Sequence, residues 1–140
     1  MKLQKNTLFA LYSVLESASR PELQLSAAEI ARRYRISPHH LAKVLHTLAR
    51  AGVVESVRGV GGGYRFAGNA KRLTLMDVIG LFEDMGAPAR SAGPSARRQG
   101  LGVERAVGTV LSEIDAMAVA TLQSISIATM LKLVARQRRN

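Results

Sequence analysis

The stretch SAAEIARRYRISPHHLAKVLHTLARAGVVESVRGVGGGYRF, residues 26–66, decides the fold. Ser26 and Glu29 have capping-box spacing, in which the serine caps the first turn and the glutamate reaches back. A helix is therefore expected from Ser26 to about Arg33, with Ala27, Ile30, Ala31 and Tyr34 available to pack. A tight turn, Tyr34-Arg35-Ile36, follows. Ser37-Pro38 then opens a second helix, with the serine as N-cap and the proline in the first turn, where no amide donor is missed. That helix runs to Ala51, and Gly52 is placed to close it.

The second helix divides cleanly into two faces. At about 100° per residue, Leu41, Val44, Leu45 and Leu48 share one side. His39, Lys43, His46 and Arg50 share the other. An ordinary amphipathic surface helix has the same pattern. Here, however, a capped helix and a short turn precede it, and a basic hairpin follows. Val53–Val57 and Tyr64–Phe66 read as paired strands, joined by Arg58-Gly-Val-Gly-Gly-Gly63. The whole unit, residues 26–67, reads as a winged helix-turn-helix. A helix of this length fits a B-DNA major groove, with its N-terminal residues at the base edges.

The loop could serve other purposes. It lacks a following Lys-Ser/Thr and lies between strands, which argues against a nucleotide-binding P-loop. As a DNA wing, Gly59, Gly61, Gly62 and Gly63 would allow close approach to the minor groove or phosphates, with Arg58 and Arg65 supplying charge at its base. His39, His40 and His46 could bind metal in principle. No carboxylate or thiolate lies nearby and the first two point about 100° apart, so no metal site is expected.

Working outward, residues 2–18 read as a helix with Leu8, Leu11, Tyr12 and Leu15 on its apolar face. Arg20-Pro21 stops it, and Leu23–Leu25 suits a short strand. Thr74-Leu-Met-Asp77 has the spacing of a second capping box and opens a helix to about Asp84. Residues 86–100, rich in Gly, Pro, Ala, Ser and Arg, read as a flexible linker. A long helix is expected from 101 to about 121, with Val103, Val107, Val110, Leu111, Ile114, Met117 and Ala118 on one stripe. A last helix covers about 127–136, and the tail from Arg136 to Asn140 should fray. The organisation is thus a DNA-binding domain at 1–85, a linker at 86–100 and a C-terminal helical part at 101–140. The fold class is mainly α with a small β wing.

Composition supports this assignment. The 140 residues are 47% hydrophobic and carry a net charge of +10, a balance that suits a folded polyanion binder. Much of the charge sits on the deciding stretch and just beyond it. Residues 26–72 hold Arg32, Arg33, Arg35, Lys43, Arg50, Arg58, Arg65, Lys71 and Arg72 against Glu29 and Glu55. There is no cysteine, which removes disulfides, thiolate metal sites and Cys-ligated clusters. The start, MKLQKNTLFALYSVL, resembles a signal peptide's opening, but Asn6, Thr7, Tyr12, Ser13 and Glu16 interrupt it. No run reaches the roughly 20 apolar residues that span a bilayer. A cytoplasmic protein with no membrane partner is expected. No nucleophile–base–acid pattern stands out, and Asp77 and the Glu83-Asp84 pair suit capping or solvated roles, so an enzyme is not expected.

Leu25 to Phe66 closely resembles the winged-helix domain of the Rrf-two family of transcription regulators. The start MKLQKNTLFALYSVL, the segment Leu73–Ile79 and the segment Ser126–Leu131 match as well. The resemblance implies a homodimer whose long helix, about 101–121, forms the interface. It also implies binding to a pseudo-palindromic operator in double-stranded DNA, most often as a repressor. By position in the motif, His39, His40 and Lys43 fall where the family meets bases, and Arg58 where a wing arginine enters the minor groove. The candidate DNA-contacting set is therefore Lys2, Lys5, Ser26, Ser37, Pro38, His39, His40, Lys43, His46, Arg50, Arg58, Gly59, Gly61, Gly62, Gly63, Tyr64 and Arg65.

The chain departs from the family in the segment before the long helix. Many members carry three cysteines there that ligate an iron–sulfur cluster, whereas residues 86–105 contain none. No cofactor is expected. A small-molecule effector could sit between the DNA-binding domain, the fourth helix and residues 86–105, where Arg90, Arg97, Arg98 and Arg105 would favour an anion. A second reading makes the winged helix a protein–protein adaptor that docks a metabolic enzyme.

Overall fold

The computed structural model describes residues 1–59, 61–85 and 101–140. The expected linker at 86–100, and most of the effector site drawn around it, lie outside the described residues. Along the chain run α1 (Lys5–Ser19), α2 (Ala27–Tyr34), α3 (Pro38–Arg50), β1 (Val54–Val57), β2 (Gly63–Phe66), α4 (Leu75–Ile79), α5 (Leu101–Ser124) and α6 (Ile127–Arg139). This is the mainly helical fold with a small two-stranded wing and a long C-terminal helix that the sequence predicts.

α1 buries a different face from the one expected. Ala10, Val14 and Ala18 point into the core, with Thr7, Ser13 and Ser17 beside them. Leu8, Leu11 and Leu15 are half-buried, and Tyr12 is exposed. The small side chains let α1 lie close against α3. The buried serines stay satisfied by bonding back along the helix: Ser13 Oγ donates to the Phe9 carbonyl at 2.8 Å and Ser17 Oγ to the Ser13 carbonyl at 2.5 Å. Tyr12 stacks on Tyr34 of α2, with ring centroids 5.0 Å apart.

Around α1 the core is completed by Ile30 and Ala31 of α2, Leu41, Val44, Leu45 and Leu48 of α3, Leu75, Val78 and Ile79 of α4, and Ile127 of α6. α4 is shorter than expected. It opens with the full Thr74–Asp77 capping box, but the helix ends at Ile79, before Gly80. Beyond it, tight turns carry Glu83 back to the start of α1. There its carboxylate accepts from the Gln4 backbone N–H at 2.6 Å and from Thr7 Oγ1 at 2.8 Å. The first of these bonds gives the Gln4 amide a partner at the N-terminus of α1, where a carboxylate is favoured. They hold the Glu83 carboxyl below its ordinary range, the Gln4 N–H bond contributing most. The capping role expected for the Glu83-Asp84 pair thus falls to Glu83, on a helix distant in sequence.

The expected strand at Leu23–Leu25 shrinks to one residue. Leu25 forms an isolated antiparallel bridge with Tyr64, through bonds of 2.9 and 2.8 Å. α6 returns to the N-terminal half: Leu75 N–H donates to the Ile125 carbonyl, Ile127 N–H to the Leu73 carbonyl, and Ile127 is fully buried. It runs as helix to Arg139, past the point at Arg136 where fraying is expected, and Arg138 reaches back to Glu16 of α1 at 3.4 Å. α5 presents an uncovered apolar seam. Val103, Val107, Val110, Ile114 and Met117 alternate four- and three-residue spacings and are 53–75% exposed. No described helix is long and apolar enough to cross a membrane.

Candidate nucleic-acid interface

The helix-turn-helix is built by three local devices. Ser26 caps α2 by accepting from the Glu29 N–H at 3.1 Å. Only this half of the expected box forms; no bond from the Ser26 N–H back to Glu29 is present among the described residues. Arg35 then adopts a left-handed conformation (φ 54°), and the Ile36 N–H reaches back to the Ala31 carbonyl at 2.8 Å. A residue of this type in that region costs about 1–2 kcal/mol. The turn is therefore held by its surroundings, with Ile36 buried at its far side. At the end of α3, Gly52 N–H donates to the Ala49 carbonyl and Val53 N–H to the Leu48 carbonyl, with Gly52 at φ 79°. This is a Schellman closure, with Leu48 and Val53 buried together beneath it.

Pro38 occupies the first turn of α3 as expected, but Ser37, though at the N-cap position, makes no side-chain capping bond. Its exposed hydroxyl is available to another acceptor or donor. Leu41, Val44, Leu45 and Leu48 are all buried to 1% exposure or less, while His39, His40, Lys43, His46 and Arg50 are exposed. The two-faced reading of this helix is thus realised in the structure.

The wing pairs Val54 with Phe66, Glu55 with Arg65, Ser56 with Tyr64 and Val57 with Gly63. Its glycines are fixed by the hairpin itself. Gly59 and Gly61 have positive φ (113° and 77°) with open space around them. Gly63 is required by contact instead, because a Cβ there would lie 2.5 Å from the Leu25 carbonyl oxygen. Arg65 is paired rather than free. It donates from Nε to Glu55 Oε1 at 2.8 Å, and from Nη2 to the same oxygen. Arg58 is exposed, and among the described residues no carboxylate pairs with it. Ser26, Gly62, Gly63 and Tyr64 are half-buried at the wing's junction with α2. Lys5 opens α1 at the Glu83 end and Lys2 precedes it; Lys5 is roughly 16 Å along that helix from a second residue that meets α2.

That residue, Glu16, was missed by the sequence reading except as an interruption of an apolar run. It is only 4% exposed and accepts from Arg33 Nη1 at 2.7 Å, from the Tyr34 hydroxyl and from Arg138 Nη2 at 3.4 Å. Burial, followed by the bond to Glu16, pushes the Tyr34 phenol up to about 12. A cleft of about 340 Å³ opens beside it, lined by Glu16 and Glu29, by Arg20, Arg32 and Arg33, and by Leu25 and Ile30. Charges of both signs on its wall select no ligand charge. Among the described residues no group of three His, Asp or Glu side chains could hold a metal ion. The rings of His39 and His40 stand 6.3 Å apart and tilted.

The fold that carries this arrangement is shared with solved structures. The sequence profile of the Rrf2 (Rrf-two) family, described as iron-dependent transcriptional regulator, matches residues 3–133. A helix-turn-helix-type transcriptional regulator named BadM, of Rhodopseudomonas palustris, is 51% identical over 99% of this chain and 86% of its own length. The regulator NsrR of Shouchella clausii is 35% identical over 60% of this chain and 57% of its own. Among solved structures, CymR of B. subtilis, the global cysteine regulator, superposes with a TM-score of 0.74 at 23% identity, over 95% of this chain and 98% of that one. IscR of T. potens gives 0.75 at 24% identity, over 96% and 88%. With its fold and nearly its whole length matched, the chain belongs to the Rrf2 family of transcriptional regulators, a family of regulators and not of enzymes.

Proposed function

We propose that this regulator binds a pseudo-palindromic operator in double-stranded DNA as a homodimer, and acts as a repressor in the cytoplasm. The observation that carries the reading is α3, whose one face is fully buried while the other offers His39, His40, Lys43, His46 and Arg50 to solvent. His39, His40 and Lys43, in its first turns, are the groups that reach base edges. Arg58, which no carboxylate pairs among the described residues, enters the minor groove. Ser26, Ser37, Pro38, Arg50 and the wing residues Gly59, Gly61, Gly62, Gly63 and Tyr64 position the protein on phosphates. Arg65 acts through Glu55 to hold the wing, and Lys2 and Lys5 add long-range attraction.

The uncovered seam of α5 supports the dimer. Its four–three spacing is that of a helix packing against another helix, and a contiguous exposed apolar stripe of this kind marks an interaction surface. Two copies related by a two-fold axis would place paired α3 helices in successive major grooves.

The family is described as iron-dependent, and the residues present do not fit a thiolate-bound cluster. The chain contains no cysteine, so it has none of the usual ligands for one. We infer a member that regulates without that cluster.

Selection of operators from fragmented genomic DNA, followed by anisotropy titrations at matched salt, tests the reading. Lys43→Ala and Arg58→Ala are each expected to weaken operator binding by about 1–3 kcal/mol. Wild-type affinity in both variants would rule out the docking.

A further inference from the structure

The Glu16 node brings the end of α2 and the end of α6 onto one carboxylate of α1. Its Oε2 takes the Arg33 guanidinium, and its Oε1 takes both the Tyr34 hydroxyl and the Arg138 guanidinium. Arg33 and Tyr34 are the last two residues of α2, and the left-handed Arg35 follows at once. Three residues later α3 begins at Pro38. Arg138 comes from the far end of the chain, in the last turn of α6. α6 in turn follows α5 across the single break at Ile125-Ser126, pinned there by the Leu75–Ile125 and Ile127–Leu73 backbone bonds.

A carboxylate 4% exposed must keep partners for its charge, because an uncompensated buried charge is strongly unfavourable. Two of its partners set the end of α2. The third is the longest bond of the three, at 3.4 Å, and comes from the most solvent-exposed partner, Arg138 at 59%. It is the contact most easily given up and regained. When Arg138 withdraws, the charge on Glu16 must be met by Arg33 and Tyr34 alone, and both lie immediately upstream of the turn that aims α3. Coupling needs an element with two arrangements biased from both sides, and the end of α2 on this carboxylate is placed to be one.

We propose that Glu16 is a positioning residue for DNA recognition, through which the C-terminal helix, by way of Arg138, sets the angle of the recognition helix. The proposal rests on the operator-binding reading above. It concerns sequence readout and not general attraction to DNA, since non-specific affinity follows phosphate neutralisation.

The test compares Arg138→Ala, Tyr34→Phe, Glu16→Gln and the double variant Arg138→Ala/Glu16→Gln in the full chain. Arg138 is largely exposed, so its replacement leaves the fold intact even where Glu16→Gln does not. Arg138→Ala is expected to weaken operator binding about five-fold or more, the lower range for coupled sites. Non-specific affinity and the slope of log K against log salt should be unchanged. In the Glu16→Gln background the same replacement should have no further effect. A salt slope reduced by about 0.9 would mean that Arg138 touches phosphate directly and would overturn the proposal. So would an undiminished loss in the Glu16→Gln background, or wild-type operator affinity in Arg138→Ala. A second readout needs no DNA: exchange of the Ile36 amide, bonded to Ala31, should quicken in Arg138→Ala and Tyr34→Phe. If the wild-type chain selects no operator but Ile36 exchange responds, the functional reading fails while the coupling stands. If Ile36 exchange does not respond, the coupling fails.

Discussion

Gly63→Ala should be far more damaging than its neighbour Gly61→Ala, and the reason is contact rather than backbone freedom. At Gly61 an added Cβ meets nothing within 4 Å, and the cost is the left-handed conformation at φ 77°, about 1 kcal/mol. At Gly63 the Cβ would lie 2.5 Å from the Leu25 carbonyl oxygen, 2.8 Å from its carbon and 3.0 Å from the Ser26 nitrogen. These are backbone atoms that cannot rotate away, so β2 must move off Leu25. The displacement breaks the pair of bonds between Leu25 and Tyr64, at 2.9 and 2.8 Å. At about 1 kcal/mol net each, these lose about 2 kcal/mol, and residual overpacking adds about 1 kcal/mol. The predicted loss is about 3 kcal/mol, read from urea midpoints at constant slope. A Gly63→Ala variant within about 0.5 kcal/mol of wild type, the range of ordinary surface changes, would refute the claim that the wing is anchored through this contact.

Other perturbations follow from the same structure. Glu16→Ala leaves the Tyr34 hydroxyl without its acceptor and should cost about 1–3 kcal/mol, whereas Arg138→Ala should leave the urea midpoint nearly unchanged; equal losses would contradict the assigned burial. If the proposed dimer forms through the α5 seam, Ile114→Glu should give a monomer in sedimentation and abolish tight operator binding, and a dimer unchanged by the substitution would place the interface elsewhere. The Glu83 carboxyl is held below its ordinary value in the folded state, so the unfolded chain binds the proton first. Its contribution is present above about pH 4.5 and is lost as pH falls through the folded value. Glu83→Gln should therefore flatten the acid limb of stability, and superimposable acid curves would refute the capping role. Tyr34 works in the opposite sense: its phenol is raised to about 12, so stability falls as pH rises from about 10 through that value, and Tyr34→Phe should remove part of the fall.

The most legible part of the fold was the helix-turn-helix, because its signals are local. Leu41, Val44, Leu45 and Leu48 fix one face by periodicity alone, Pro38 and Gly52 mark the ends of α3, and the glycine run declares a hairpin. α1 was misread because large aliphatic residues drew the apolar face toward Leu8, Leu11 and Leu15, whereas close packing against α3 selected the small Ala10, Ser13, Val14 and Ser17. The glycines read as a way for the wing to approach DNA, yet Gly63 serves an internal contact with Leu25. Glu16 could not have been found by spacing. Its partners lie 17, 18 and 122 residues away, and no helical or strand period links them. The same holds for Glu83, whose target at Gln4 is 79 residues distant, and for Arg65, whose charge looked available until the strand register set it opposite Glu55.

In the proposed complex two copies of α3, held by the α5 seam, read two half-sites. Footprinting of the purified protein on DNA selected from genomic fragments, with the protein-to-site ratio measured in the same samples, tests this arrangement. The expected result is an inverted repeat whose half-sites lie about 34 Å apart or a multiple of it, bound by two-fold-related copies, with protection lost in Lys43→Ala. Enriched fragments that share no inverted repeat, or protection that survives unchanged in Lys43→Ala, would contradict it.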